Sequence, residues 1–538
     1  MNRRRVIALV LVVAAAAALA LFVARKGAST AKGGTESAPE AVVDRRTLEP
    51  FRLAPSTEKG DDVVGRRLAK LVVALDRSTR AGAPAQAMTD LGVAETELLG
   101  EETRAALGEP AVAALREVVV AAKTAAHARV KDEASVTALD VAVARLDNAL
   151  LAAHLPYFVD ASVIVTRDRS RRIVLLYGFA TVGTSLYASG ADRVRTVRLR
   201  RLDHLNWSHS VLGFVNLLRA QAVVLLDPIE EQLARYVLPA LAPDAPMPFG
   251  GEEAKPSPSA IAIGARAGAV AREELGGLPG VQADVAREVG EALRARRGLY
   301  EEWNRGSDSE LGLGVRPPKG LALDVPIAVF AERAAGLVPR ADLATLAEIQ
   351  ARLERDDAAR THGALRDAFA DSVERHEAQH RLDAMMHLRM SAAVRAVVHG
   401  EGANVATIRN GVNNELSAYL AQIARDPKMP RTTYSLLVRF VVNPRTRVSS
   451  EGIAGVLATE ALARELGAAD TTPLVVDRRL DEERLVRAHR VITEAKPELV
   501  ASAARRAWAT IFGRELPALE ALAQEPERVD VRDGARDE

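Results

Sequence analysis

The chain has no cysteine anywhere in its 538 residues. That absence excludes disulfides, iron–sulfur clusters, cysteine-ligated zinc and thiol nucleophiles. It leaves the compartment open, because exported and cytosolic proteins alike can do without the residue. Aromatic residues are scarce, at 4% against 48% hydrophobic residues overall. Ala, Leu and Val therefore carry the apolar load, a mix that favours helix over strand. Net charge is almost absent too, with 72 Lys and Arg against 71 Asp and Glu. Such a balance gives no electrostatic reason to expect nucleic acid as a partner. The basic clusters RDRSRR at 167–172 and RVRTVRLRR at 193–201 read as solvated, arginine-rich faces of strands.

Long hydrophobic runs are missing, with one exception. After MNRRR, residues 6–24 read VIALVLVVAAAAALALFVA, nineteen uncharged apolar residues that can just cross a bilayer. The run exceeds the core of a typical signal peptide and lacks the cysteine of a lipoprotein, so it reads as an uncleaved signal anchor. The alternative is a cleaved signal peptide and a secreted product, since Ala18–Leu19–Ala20 resembles a cleavage site. Arg3 to Arg5 favour a cytoplasmic N-terminus, although Arg25 and Lys26 act against that orientation. The expected arrangement is a single-pass membrane protein whose body lies in the periplasm or otherwise outside the cytoplasm.

The length fits about three to four domains. Residues 1–26 form the anchor, and 27–60, rich in Gly, Ser, Thr, Pro and Lys, a flexible linker. Residues 61–155 are helical: Leu68, Leu71, Val72 and Leu75, and then Val136, Leu139, Val143, Leu146 and Leu150, recur at helical spacing. Residues 156–245 change character. YFVDASVIVT, RRIVLLYGF and VRTVRLRRL are β-rich runs that predict a small antiparallel sheet. His204 and His209 flank Trp207 there, and read as a loop or strand end before a second metal site. Residues 246–320 form a linker and helical connector, 321–524 a helical domain, and 525–538 a disordered tail. The fold class is thus mainly α, multi-domain (α+β).

The stretch that carries chemistry is ERHEAQHRLD, residues 374–383, which contains H-E-x-x-H. On a helix, residues i and i+4 share a face, so His376 and His380 can aim ring nitrogens at one ion. Glu377 projects at the edge of that face, where it can take a proton from an activated water. With ten histidines in the chain, a chance match arises in roughly one such sequence in a hundred. Phe369, Val373, His376, His380, Ala384 and His387 form one stripe whose apolar members turn it inward. A histidine pair on a buried face needs a partner, and a metal supplies one.

A catalytic zinc usually has three protein ligands and an open position. The extension H-E-x-x-H-x-x-G-x-x-H fails, because position 383 is Asp and position 386 is Met. His387 would lie about 10 Å further along the helix, too far to share the ion. Asp383 is better placed to orient His380. IRNGVNNELSAYLAQIA, 408–424, offers a better candidate: an Asn-Gly turn, Asn413 or Asn414 as N-cap, then a helix with Glu415 in its first turn. Leu416, Tyr419, Leu420 and Ile423 would form its apolar face.

Over residues 360–425 the chain resembles the gluzincin metallopeptidases, in which one helix carries H-E-x-x-H and a later helix supplies a glutamate. The resemblance implies that His376, His380 and Glu415 bind zinc and that Glu377 is the general base. The clan's glutamate often reads E-x-x-A-D; here E-L-S-A-Y keeps the alanine but puts Tyr419 where the aspartate would stand. The chemistry implied is peptide-bond hydrolysis by a zinc-activated water, with a peptide or protein as substrate. His387, His399, Arg409, Tyr419 and Tyr434 are the candidate oxyanion donors. Two other readings stay open. One is a non-catalytic envelope scaffold with a structural or degenerate site. The other keeps the zinc but hydrolyses a different bond.

Overall fold

The computed structural model describes residues 53–524, except 55, 167, 204, 206–210, 217, 220, 250–255, 304–319, 324–325, 334–337, 401 and 477–478. The expected anchor at 1–26, the tail at 525–538 and the His204–Trp207–His209 cluster lie outside the described residues. No helix among the described residues is long and apolar enough to cross a membrane. The described residues are mainly helical, with a six-stranded sheet and a separate two-stranded pair, Val475–Val476 with Arg479–Leu480, and the chain divides into two compact units.

The first unit takes its described residues from 53–228, 300–303 and 519–524. It opens with a helical segment, α1, made of Glu58–Asp61, the π-helical turn Asp62–Arg67 and Leu68–Ser78. Helices α2 (Ala85–Leu98), α3 (Glu101–Leu107), α4 (Glu109–His127) and α5 (Glu133–Ala152) follow. Their apolar stripes, including Leu68, Leu71, Val72, Leu75, Leu139, Val143, Leu146 and Leu150, are buried in one core with the sheet.

The sheet consists of β1 (Tyr157–Val165), β2 (Arg172–Ser189), β3 (Asp192–Arg201), β4 (Gly213–Val215), β5 (Gln221–Leu225) and β6 (Glu520–Gln524). Its order is β1-β2-β3-β5-β4, with β6 also on β2. Two features differ from the sequence expectation. First, β3 and β5 pair in parallel, from Arg195↔Gln221 to Leu199↔Leu225, so the sheet is mixed. The connection over 202–220 exceeds the dozen or so residues that a crossover needs. Second, Glu520–Gln524 is a strand rather than the end of a helical domain. It pairs with Ser185–Ala188 of β2, beyond the residues 172–180 that pair with β1.

Gly178 of β2 marks a close approach. A Cβ there would lie 1.9 Å from the carbonyl oxygen of Val64, in the π-helical turn of α1. Gly178→Ala is therefore expected to cost at least ~2 kcal/mol by forcing backbone apart. A urea titration of the variant would read this as a lower midpoint at unchanged slope, and equal midpoints would refute the close approach.

The second unit comprises Ile229–Leu299 and Gly320–Ala518 and is helical but for the short antiparallel pair Val475–Val476 and Arg479–Leu480. Its principal helices are α6 (Pro258–Leu275), α7 (Asp356–Met385), α8 (Ala403–Arg425), α9 (Pro430–Val442), α10 (Ser450–Glu465), α11 (Glu482–Glu494) and α12 (Pro497–Phe512). Local signals set their ends. Ser257, Ser449 and Asp481 accept backbone N–H bonds from Ala260, Gly452 and Arg484. Proline opens α9 and α12, and Gly513 ends α12 in the left-handed region at φ 67°.

The Asn410–Gly411 pair is not a turn. It lies inside α8, which starts at Ala403, and Asn413 does not cap its own helix. Gly411 serves packing: a Cβ there would meet the Ser450 hydroxyl of α10 at 2.5 Å. The Asn413 side chain instead accepts from the backbone N–H of Ser391 at 2.9 Å.

His489 of α11 is fully buried and stacks on Tyr434, with ring centroids 5.6 Å apart. Burial first, and the charge of Arg266 second, hold its pKa down at about 3 instead of 6.5. The fold thus favours the neutral ring. That contribution is fully present above about pH 6.5 and is lost as pH falls towards about 3. His489→Phe keeps a stacked ring but cannot titrate. The stability lost by the wild type between pH 6.5 and 4 should shrink in the variant by up to a few kcal/mol. Denaturant titrations across that range check this, and parallel profiles would count against it.

Candidate metal centre

Helix α7 is 30 residues long, and its histidines lie in the interior of the run, away from fraying ends. His376 and His380 stand one turn apart with ring centroids 4.6 Å apart at 85°. Their Nε2 atoms lie 3.0 Å from each other. Helix α8 runs antiparallel beside α7, since Ser372 and His376 meet Gln422 while His380 meets Glu415. Glu415 places Oε2 3.4 Å from His376 Nε2 and Oε1 3.7 Å from His380 Nε2. One ligand atom from each of the three residues falls within 4.8 Å of the others. His376, His380 and Glu415 therefore form a group that could hold a metal ion.

The donor set fits a cation. His376 Nδ1 lies 3.1 Å from Gln422 Oε1. An amide oxygen only accepts, so the proton sits on Nδ1 and leaves the Nε2 lone pair facing Glu415 and His380. Gln422 in turn donates to Ser372 Oγ at 3.0 Å, and Ser372 donates to Asp426 Oδ2 at 2.6 Å. The other Asp426 oxygen accepts from the backbone N–H groups of Lys428 and Met429, fixing the turn between α8 and α9. The orientation of His376 is thus tied to backbone through three side chains.

Burial dominates the electrostatics. It pushes both imidazoles down to about 4, helped at His380 by the neighbouring His376, while Gln422 and Glu415 act the other way. Burial also raises the Glu415 carboxyl, which the charge of His380 opposes. Neutral imidazoles are the ligand form, and a buried carboxylate is stabilised by a cation placed against it.

Glu377 is 5% exposed, and its charge acts on the Tyr419 hydroxyl. Tyr419 packs edge-on against His376, with centroids 4.5 Å apart at 66°. Its hydroxyl is pushed well above 10, first by burial and then by Glu415, Glu451 and Glu377, with Arg439 opposing. The hydroxyl stays protonated and remains a donor.

The other oxyanion candidates are elsewhere. His387 lies past the end of α7, exposed, at φ 49°. His399 is exposed. Arg409 is spent on the carbonyls of Val398 and Gly400. Tyr434 is a core residue near Thr459. Asp383 does not orient His380. It accepts from Gln379 at 2.5 Å, beside Ser417, which accepts from the Trp508 indole of α12 at 2.9 Å. Burial raises its carboxyl to about 7, against the pull of Ser417, Gln379, Arg425 and Arg514.

Sequence reasoning missed Gln422, Ser372 and Asp426. A signal was present: 415, 419, 422 and 426 share one face of a helix, and Ser372 lies one turn before His376. It also missed Glu451 of α10, whose charge acts on His376 and whose carboxyl is raised by burial and by the charge of Glu415. Nothing in the sequence places α10 there.

Compared with family models, curated proteins and solved structures, the chain shows no match to any of the three.

Gln422→Leu removes the acceptor that fixes His376. Affinity for a divalent metal ion should fall roughly 10- to 100-fold with the stoichiometry unchanged. A competition titration against a chromophoric chelator would measure this, and wild-type affinity would show that Gln422 does not orient the ligand.

Proposed function

We propose that the chain is a membrane-anchored zinc metallopeptidase, held by residues 6–24, whose helical body outside the cytoplasm hydrolyses peptide bonds. The convergence of His376, His380 and Glu415 within 4.8 Å supports this reading above all. Two neutral nitrogens and one carboxylate are the donor set of a catalytic zinc with an open position. The ion, when bound, supplies Lewis acidity that acidifies water and polarises a carbonyl. Within the 321–524 region, Glu377 follows the first ligand on the same helix. It would take a proton from the attacking water and pass it to the leaving amine. Tyr419, protonated beside His376, would donate to the oxygen on which negative charge develops. Gln422, Ser372 and Asp426 would hold His376 in its working tautomer.

Mass spectrometry of metal-replete protein is expected to find one zinc per chain. His376→Ala and Glu415→Ala should lose the metal. Glu377→Gln should keep it while losing roughly 100- to 10,000-fold in peptide hydrolysis. Protein that takes up no zinc would sink the reading. Zinc retained with full activity in Glu377→Gln would remove Glu377 from the mechanism.

A further inference from the structure

Trp508 of α12 is the largest fully buried side chain among the described residues, and its one polar atom is committed. The indole N–H donates to Ser417 Oγ at 2.9 Å. The Gln379 amide reaches the same oxygen at 3.5 Å and donates to Asp383 Oδ1 at 2.5 Å. A serine hydroxyl that receives N–H groups still has its own proton to place. The carboxyl that feels it is Asp383, where Ser417 is the first of the groups that oppose burial. Trp508, Ser417 and Gln379 are 0% exposed and Asp383 is 4% exposed. Water cannot substitute for a missing partner at such depth, so the four groups hold one another in a single arrangement.

This network borders the candidate metal ligands. On α7, Gln379 directly precedes His380; on α8, Ser417 comes two residues after Glu415. Helix α12 packs against α8 and brings in Trp508, 91 residues beyond Ser417 in the chain. The two kinds of ligand are held differently. The His376 ring is fixed by a direct bond to Gln422. The Glu415 carboxylate meets the two histidines, and no other donor among the described residues holds it. Its position therefore depends on where α8 lies against α7, and ligand geometry tolerates little error.

We propose that Trp508 is a positioning residue of the metal centre: through Ser417 it sets where α8 presents Glu415 to His376 and His380. Helix α12 is then part of the centre, although it lies outside the stretch that carries the ligands. Gln379 and Asp383 close the same network from α7. The inference rests on the reading of His376, His380 and Glu415 as a metal site.

The test uses the full chain, purified in detergent and titrated with cobalt(II), whose visible absorption reports the geometry around the ion. Trp508→Phe keeps an aromatic ring and removes the N–H donor. Ser417→Ala removes the hydroxyl. Competition with a chelator gives the affinity, and a urea titration of each variant gives its stability. Both variants should bind cobalt roughly 10-fold more weakly with an altered visible spectrum. The double variant should bind no more weakly than Ser417→Ala, since the two changes break the same bond. If Ser417→Ala does not fold, the spectrum and affinity of Trp508→Phe decide. Wild-type affinity and spectrum in Trp508→Phe, with only the urea midpoint lowered, would make Trp508 a core residue and overturn its assignment alone. A wild-type chain that takes up no cobalt would overturn the metal centre and Trp508 together.

Discussion

The hydrogen-bonded seam between α7 and α8 is the constraint on which the site depends. Ser372, His376 and Gln379 on one helix meet Asp426, Gln422 and Ser417 on the other. All six are buried or nearly so. These pairings fix how the two helices meet, because unsatisfied buried polar groups cost more than the bonds themselves return. The seam thus selects one register out of several that apolar packing of Leu416, Leu420 and Ile423 alone would tolerate. That register puts Glu415 opposite the histidine pair. The Trp508 indole, donating to Ser417, locks the same seam from α12.

Electrostatics inside this frame run in one direction. Burial drives the two imidazoles down and Glu415, Glu451 and Tyr419 up, so each group is pushed towards its neutral form. A pocket of this kind disfavours isolated charge of either sign. It favours a small cation that can meet carboxylate and imidazole lone pairs together, since the ion offsets the desolvation that burial imposes. Seen this way, Glu451 is more than a first-turn acid of α10. Its charge acts on His376, and it is itself raised by burial and by the charge of Glu415.

The parts of this centre legible in the sequence were those that depend on one helix at a time. His376, Glu377 and His380 needed only the 3.6-residue period, and the buried stripe through Phe369 and Val373 told which way they face. Glu415 was found because Leu416, Leu420 and Ile423 mark its helix as packed. Errors arose where tertiary contacts override local preference. Asn410–Gly411 has the composition of a turn, yet Gly411 is needed for the approach of Ser450. Asp383 had the right spacing to reach His380, but Gln379 and Ser417 claim it. The strand Glu520–Gln524 could not be read locally, because its partner in β2 is more than three hundred residues away in the chain. Glu451 matters only through the position of α10, which no periodicity encodes.

Helix α9, which packs against α8, is located by its own buried start. Its N-terminus is clamped by Glu274, the last charged residue of α6. One oxygen of Glu274 accepts from the backbone N–H and Nε of Arg431, at 3.2 and 2.9 Å. The other accepts from the backbone N–H and hydroxyl of Thr432, at 2.8 and 2.7 Å. A carboxylate at that end also meets the positive pole of the helix. Four hydrogen bonds at one end and a packed face of Leu437, Val438 and Val441 along its length fix the helix as a rigid body. Arg439, two turns beyond the clamp, is carried by that body and rests on the rings of Tyr236 and Phe440.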